Sequence, residues 1–372
     1  MHQATARFDV STEDQFDFSS NEYAKLFAGS AATAFQHPIW LQSLYAKLAP
    51  ASGAKRLVIA VRSRASGELA MLLPLLRIRR GPIRTVEFAD LRVSDYIAPI
   101  CSQGAFADLV QDEMACREIR RLLQPFDLLR IPKLPDGMVP LERMLDAGPR
   151  IAMETNAYSV GLRAPFEEWR SSALDRYYQK ELAKKFRQLQ KKGELAFSCE
   201  DGRSVASTLE MMKQYRGPRF HARGDGDLLQ RPEYFDFYSD IALRGHGSFS
   251  RLYALRIDGR VIAAVLGLCH NGSFLVIMGA FDIEGYKSQS IGALMFEQVA
   301  KDCIARGDRV LDFTIGDEPY KKQFGAQPSP MWIVTQTGSA AGAFAAYALV
   351  QVPWIKLVAK RMAEFRLLPA RT

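Results

Sequence analysis

Between residues 313 and 325 the chain reads FTIGDEPYKKQFG, which gathers two carboxylates, a phenol and two ammonium groups around a pair of glycines. Asp317 or Glu318 can accept a proton, Tyr320 can donate one, and Lys321 can hold a phosphate or a developing oxyanion. The same spacing also describes a solvated turn. Asp317 is placed to cap a short helix that Pro319 enters and Gly325 ends, with Asp317 and Lys321, and Glu318 and Lys322, one turn apart and Tyr320 and Phe324 turned inward. Against the plain turn stands its address, because loops just past the carboxyl end of a sheet strand are preferred ligand sites. That strand is RVLDFTI, where alternation sets Asp312 among apolar residues. A carboxylate there needs a cation or donors, either as an anchor or as an orienting group in a cleft.

A second group of residues is QSIGA, Gln289 to Ala293, at the front of SQSIGALMFEQVAKDCIARG. Apolar Ile291, Leu294, Met295, Val299, Cys303 and Ile304 have helical spacing, so the motif lies in the first turn of a helix. The free amides and dipole of a helix N-terminus attract phosphate; Gly292 lets a backbone approach closely, and Ser290 can cap or contact the ligand. Gly292 can equally be a small residue tolerated in the first turn.

These residues need a scaffold, and residues 250 to 316 supply one. Asp258-Gly259 and Asn271-Gly272 are hairpin signals that join SRLYALRI, RVIAAVLGLCH and SFLVIMGAF into an antiparallel meander. The helix and RVLDFTI follow, giving a βββαβ order whose last strand can lie parallel to the third. The first half carries a fainter copy: KRLVIAVRS, ELAMLLPLLRI and SDYIAPICS as strands, AFADLVQDEMACREIRRLLQ as a helix, then FDLLRIP. The starts RLVIAV and RLYALR, at Arg56 and Arg251, suggest a duplicated unit. The expected domains are 1–155, 156–337 and a basic amphipathic tail, 338–372. A basic helix over 175–192, with Leu182, Phe186 and Leu189 as its docking stripe, turns Lys184 and Arg187 outward; that face is either solvated or meets an anion.

Bulk properties narrow the partners. The 372 residues carry 49 basic and 41 acidic side chains, a formal charge of +8, which favours anionic ligands or surfaces. Five scattered cysteines form no CxxC pair, and the five histidines form no metal or triad pattern, so no metal is expected. Cys269 and Cys303 lie in apolar surroundings unsuited to a thiolate nucleophile. The polar, acidic start has no signal-peptide pattern, so a cytoplasmic location is expected. Ala340 to Trp354 is apolar but short of the roughly 20 residues that span a bilayer. With Lys356, Lys360, Arg361 and Arg366 it reads as a packed helix or as a peripheral membrane contact over 340–366.

Taken together, the βββαβ order, the QSIGA start and the closing DFTIGDEPYKKQFG resemble the GNAT acyltransferase superfamily, more narrowly the tandem branch that includes CelD-like cellulose-biosynthesis proteins and Fem-type aminoacyl ligases. The resemblance is most specific over 158–326, through ELAKKFRQLQKKG, QYRGPRFHARGDGDLLQRPEYFDFYSDIA and YKSQSIGAL, and looser in the first half, through FQHPIWLQSLY, LLPLLRIRRG and VSDYIAP. It departs from the usual pyrophosphate loop, Q/R-x-x-G-x-G/A, at Leu294, and from the CelD-like Ser-Pro-Gly at Ile291.

The resemblance implies an α/β fold (an α+β mixed sheet) of two tandem GNAT-like domains, each a mixed, mostly antiparallel sheet flanked by helices. It implies acetyl-CoA or a longer acyl-CoA as donor, held by Gln289, Ser290, Ile291, Gly292 and Ala293. The acyl group would pass directly to an amine on an envelope-related acceptor: an amino sugar, a polysaccharide precursor or a long-chain amino alcohol such as a sphingoid base. The family's G-D-x-x-Y-K run carries interest to Gly316, Asp317, Tyr320 and Lys321, with Glu318 and Asp312 beside them; Lys184, Arg187, Arg219 and His246 are the expected acceptor contacts. Two alternatives remain: a Fem-like ligase using aminoacyl-tRNA, whose helical insertion is not evident here, so tRNA is not the expected partner, and a non-catalytic scaffold of a polysaccharide or lipid synthase complex. DNA is not an expected partner.

Overall fold

The computed structural model describes residues 7–163, 165–222 and 226–351, with the side chains at 219, 221–222 and 348–351 outside that description. Two compact units are formed, one by Met1–Met153 with Trp332–Thr372, the other by Glu154–Met331.

In the second unit the meander is as the turn residues require. Strands β10 (Ser250–Ile257), β11 (Arg260–His270) and β12 (Ser273–Phe281) pair antiparallel, and Asp258, Gly259, Asn271 and Gly272 all have positive φ. The crossover helix Ile291–Ala305 leads to β13 (Val310–Ile315), parallel to β12. The sheet is completed by β8 (Ala157–Gly161), β9 (Leu195–Cys199) and β14 (Gln327–Ser329), in the order β14-β8-β13-β12-β11-β10-β9. Leu294, Met295, Val299 and Cys303 are buried from the crossover helix against Val265, Phe274 and Leu311 of the sheet. The basic helix runs Arg176–Gln190; Asp175 caps it by accepting from the Tyr177 and Tyr178 amides, and Leu182 and Leu189 are its buried residues.

The first unit has the sheet order β1 (Phe8–Thr12), β2 (Lys55–Ser63), β3 (Leu69–Arg80), β4 (Ile83–Phe88), β6 (Leu128–Pro135), β15 (Met331–Thr337), β7 (Ile151–Ala152), with β5 (Ile100–Cys101) on β3. Its third strand is IRTVEF, not SDYIAPICS: Gly81, at φ 66°, turns β3 directly into β4, and residues 89–99 form a loop. The expected single helix is two, Gln103–Val110 and Glu113–Leu123, because Asp112 starts the second by accepting from the Ala115 amide. The last strand, Met331–Thr337, joins this sheet rather than the second one, so the observed division falls at 331 and not at 337.

Both units keep the same short parallel ladder. In one it runs Thr85–Leu128, Val86–Leu129, Glu87–Arg130; in the other, Ser273–Val310, Phe274–Leu311, Leu275–Asp312. Each lies where a crossover helix returns to the sheet.

Candidate acyl-transfer site

The β12–β13 ladder ends at Leu275–Asp312, although β12 continues to Phe281 and β13 to Ile315. Thr314 is the cause on one side: at φ 57° it sits in a bulge, and its hydroxyl donates to the Val276 carbonyl at 3.1 Å. Beyond that bond the strands have no ladder pairs among the described residues. At the far end of β12, Arg216 donates to the Gly279 carbonyl at 3.0 Å and pairs with Asp227.

The loop from Asp282 leads to the crossover helix. Asp282 fixes it by accepting from Arg260 at 2.7 Å and from the Gly285 amide at 3.0 Å. Gln289 and Ile291 are buried, while Ser290 occupies the left-handed region at φ 49° and makes no side-chain cap. Its hydroxyl instead accepts from Lys185 at 2.7 Å, and Lys192 lies 5.0 Å over the Tyr286 ring. Lys185 of the basic helix and Lys192 just past its end therefore stand near the amino end of the crossover helix. A Cβ on Gly292 would meet only the Phe281 ring, at 3.5 Å, which is ordinary contact. Packing does not demand glycine there, whereas a ligand approaching the first-turn amides would. This set of amides, hydroxyl and ammonium groups fits a diphosphate.

The 312–321 stretch is built around a buried lysine. Lys321 points back under the strand end, donating to the carbonyls of Thr314 at 3.2 Å, Ile315 at 3.2 Å and Gly316 at 2.9 Å, and its ammonium pairs with Glu318 at 2.9 Å. Only 3 % of its side chain is exposed, against 56 % for Glu318. Lys321 thus shapes the loop rather than facing a ligand. Tyr320 stacks on Phe296 at 5.2 Å and 3° and meets Phe313 edge-on, each such aromatic pair adding about 0.5–1.5 kcal/mol. Asp312 accepts from the Thr314 amide at 2.7 Å, which helps hold the bulge.

Asp317 does not cap the helix Pro319–Gln323, whose N-cap is Glu318 without a side-chain bond. It accepts instead from the Tyr158 hydroxyl at 2.9 Å and the Asn156 amide at 3.3 Å. The Tyr158 bond holds the Asp317 carboxyl below its ordinary range and pushes the phenol up. A depressed carboxyl stabilises the fold above its unfolded pKa of about 3.9, and that contribution fades as pH falls through the lower folded value. Tyr158→Phe is therefore expected to return Asp317 toward the ordinary range and to remove this part of the acid-limb stability loss, which a carbon-13 carboxyl titration checks.

The remaining expected contacts fall elsewhere. Lys184 and Arg187 are exposed on the outer face of the basic helix. The lysines that reach the loop are Lys185 on the helix and Lys192 in the turn after it. The Arg219 side chain lies outside the described residues. His246 is exposed and precedes β10, at the opposite end of the sheet from the loop after β12, because Ser250 pairs with Leu268 and Leu268 with Leu275. Tyr158, Asn156 and Arg216 were not singled out by local spacing; their partners are distant in sequence.

Other chemistries find less support. Burial pushes the Cys269 thiol up to about 11 and Cys303 higher still, so neither is a thiolate near neutral pH. Among the described residues no group of three or more His, Cys, Asp or Glu is arranged to hold a metal ion, and no helix is long and apolar enough to cross a membrane. A surface pocket of about 570 Å³ belongs to the first unit and is lined by residues including Glu22, Lys25 and Glu68, of which Lys25 and Glu68 pair with each other. It contains none of the candidate residues.

A three-strand meander, a parallel fourth strand that parts from its neighbour and a helix starting at the gap define an acyltransferase-type fold. Residues 176–322 match the family described as Acetyltransferase (GNAT) domain, and the fold is that of tandem GNAT-like domains, each a mixed sheet flanked by helices. FemX has the same fold at TM-score 0.61 and 12 % identity, covering 92 % of this chain and 99 % of its own. A conserved protein of unknown function from Bacteroides thetaiotaomicron is similar at 0.57 and 11 %, covering 88 % and 100 %. L-PGS from Bacillus licheniformis is similar at 0.55 and 10 %, covering 96 % and 100 %. No curated protein matches the sequence.

Proposed function

We propose that the second unit transfers an acyl group, acetyl or longer, from a CoA thioester directly to an amine on an envelope-related acceptor, such as an amino sugar, a polysaccharide precursor or a long-chain amino alcohol. The observation that carries this reading is the early end of the β12–β13 ladder beside the amino end of the crossover helix. Strand edges released from a ladder can pair with an extended, amide-bearing thioester arm, and the helix amides with Ser290, Lys185 and Lys192 can take its diphosphate. In the transfer the amine nitrogen attacks the thioester carbonyl, the C–N bond forms and the C–S bond breaks. The amine proton leaves through water to Glu318 or Asp317, and Tyr320 protonates the departing thiolate. Asp317 is the weaker base of the two, since its hydrogen bond to Tyr158 stabilises the carboxylate. Lys321 acts as a positioning residue, and Asp312 holds the bulge that keeps the strands apart.

A second reading, a Fem-like ligase taking an aminoacyl group from tRNA, draws on the likeness in fold to FemX and on the +8 charge. It predicts a strongly salt-dependent tRNA complex. A scaffold without activity predicts neither ligand. Residues 340–366 are proposed as a peripheral contact at the inner face of the membrane: Phe344 and Tyr347 are exposed on the helix Ala340–Gln351, while the basic positions from Lys356 onward lie outside the described residues.

Acetyl-CoA, long-chain acyl-CoA and free CoA should raise the unfolding midpoint. At 100 times Kd the stabilisation is about 2.7 kcal/mol. No shift with any of the three at high concentration, together with a tRNA complex that salt disrupts, would favour the ligase reading; no shift and no tRNA complex would favour the scaffold.

A further inference from the structure

The first unit repeats the parallel ladder but fills it with charge. Its last pair is Glu87–Arg130, two residues in register on neighbouring parallel strands, so their side chains share one face of the sheet. Glu87 is buried, and its carboxylate is taken by Arg80 at 2.7 Å. Asp90, just past the end of β4, is taken by Lys133 at 2.9 Å, whose ammonium also donates to the Ser94 carbonyl at 2.7 Å. Arg130 is left over. It is half-buried, and among the described residues no acceptor lies within hydrogen-bonding distance of its guanidinium and no ion pair reaches it. Three cations, Arg80, Arg130 and Lys133, thus face two carboxylates, Glu87 and Asp90. Two residues back on the same face of β4, Thr85 is buried, and its hydroxyl has no hydrogen-bond partner among the described residues.

A half-buried guanidinium whose five donors meet no protein acceptor is costly unless an anion or water meets them. Glu87 and Asp90 act on Arg130 through space, but each is hydrogen-bonded to another cation, Glu87 to Arg80 and Asp90 to Lys133. We infer that Arg130 anchors an anion site in the first unit, taking a carboxylate or phosphate on a small ligand through its planar fork, with the Thr85 hydroxyl as a further donor and the exposed Arg80 closing over it. Burial, the largest influence on Arg130, lowers its affinity for its proton, and a bound anion acts in the opposite direction. The site does not depend on acyl transfer in the second unit.

The test uses the full chain carrying Gly292→Glu, so that the second unit's phosphate-binding loop contributes nothing, in chloride buffer at fixed ionic strength. Inorganic phosphate, glycerol 1-phosphate and succinate are titrated by calorimetry and thermal shift. At least one probe is expected to bind saturably, at least tenfold more weakly to Arg130→Gln and less so to Arg130→Lys. Tighter binding of glycerol 1-phosphate than of phosphate points to a phosphorylated organic ligand; equal binding points to free phosphate; succinate alone points to a carboxylate. Without a probe, Arg130→Gln is expected to melt no lower than its parent, since it removes an unpaired charge. Should that variant fail to fold, Thr85→Val, which removes only the hydroxyl, is expected to weaken the same probe several-fold. Equal binding by parent and Arg130→Gln would overturn the proposal. So would no binding of any probe to the parent; a lower melting point for Arg130→Gln would then make Arg130 a structural partner of Glu87.

Discussion

In a Gly292→Glu protein, CoA and its thioesters are expected to lose their stabilising effect, with affinity reduced by about 100-fold or more, while Gly292→Ala retains it. The contrast follows from what surrounds residue 292. A Cβ meets the Phe281 ring at 3.5 Å without displacing anything, so alanine fits the folded chain. A carboxylate at that position stands beside the first-turn amides, Ser290 and the Lys185 ammonium, where the proposed diphosphate would lie. Two like charges about 5 Å apart at an effective dielectric near 20 repel by about 3 kcal/mol, which is more than a hundredfold in affinity. Lys185→Gln should give a smaller loss of the same sign. Unchanged CoA binding in Gly292→Glu would remove this loop from the donor site.

Lys321→Met is expected to destabilise the second unit by about 3 kcal/mol or more, because breaking a buried charge cluster from one side leaves its partners exposed to the full desolvation cost. The partners are specific: the carbonyls of Thr314, Ile315 and Gly316 lose their donor, and Glu318 loses its counter-charge. For a unit of this size the midpoint should fall by roughly 6–12 °C. Glu318→Gln, at the exposed end of the same pair, should cost about 1 kcal/mol or less. Denaturant titration separates the two. A stable Lys321→Met protein with weakened CoA binding would mean that the lysine meets the donor instead of the strand end.

The difference between these two residues also marks what the amino-acid sequence could disclose. Gly292 and the meander were legible because their signals are local: Asp258-Gly259 and Asn271-Gly272 must adopt positive φ, and the crossover helix shows its period in Ile291, Leu294, Met295 and Val299. Lys321 was legible as a charged residue near Asp317, but its burial depends on Thr314 turning at φ 57° and folding three carbonyls back over the helix. That is a tertiary outcome which four-residue spacing does not report. Asp317 likewise reads as a cap until Tyr158, 159 positions earlier, is brought beside it by the pairing of β8 with β13. On the basic helix, the helical period marks Lys184 and Arg187 as outward charges, and both are exposed. The lysines that reach the loop are Lys185, half-buried on the helix, and Lys192, in the turn just past its end, and what stands opposite each is set by the tertiary fold. The return of Met331–Thr337 to the first sheet had no local signal at all, since it depends on pairing across most of the chain.

The second unit is proposed to hold a CoA thioester as acyl donor. Calorimetric titration of the full chain with acetyl-CoA and a long-chain acyl-CoA tests it most directly. Saturable one-to-one binding of at least one thioester is expected, lost in Gly292→Glu and retained in Gly292→Ala. Absence of binding by either thioester to a folded protein, alongside saturable binding of an aminoacyl-tRNA, would contradict it.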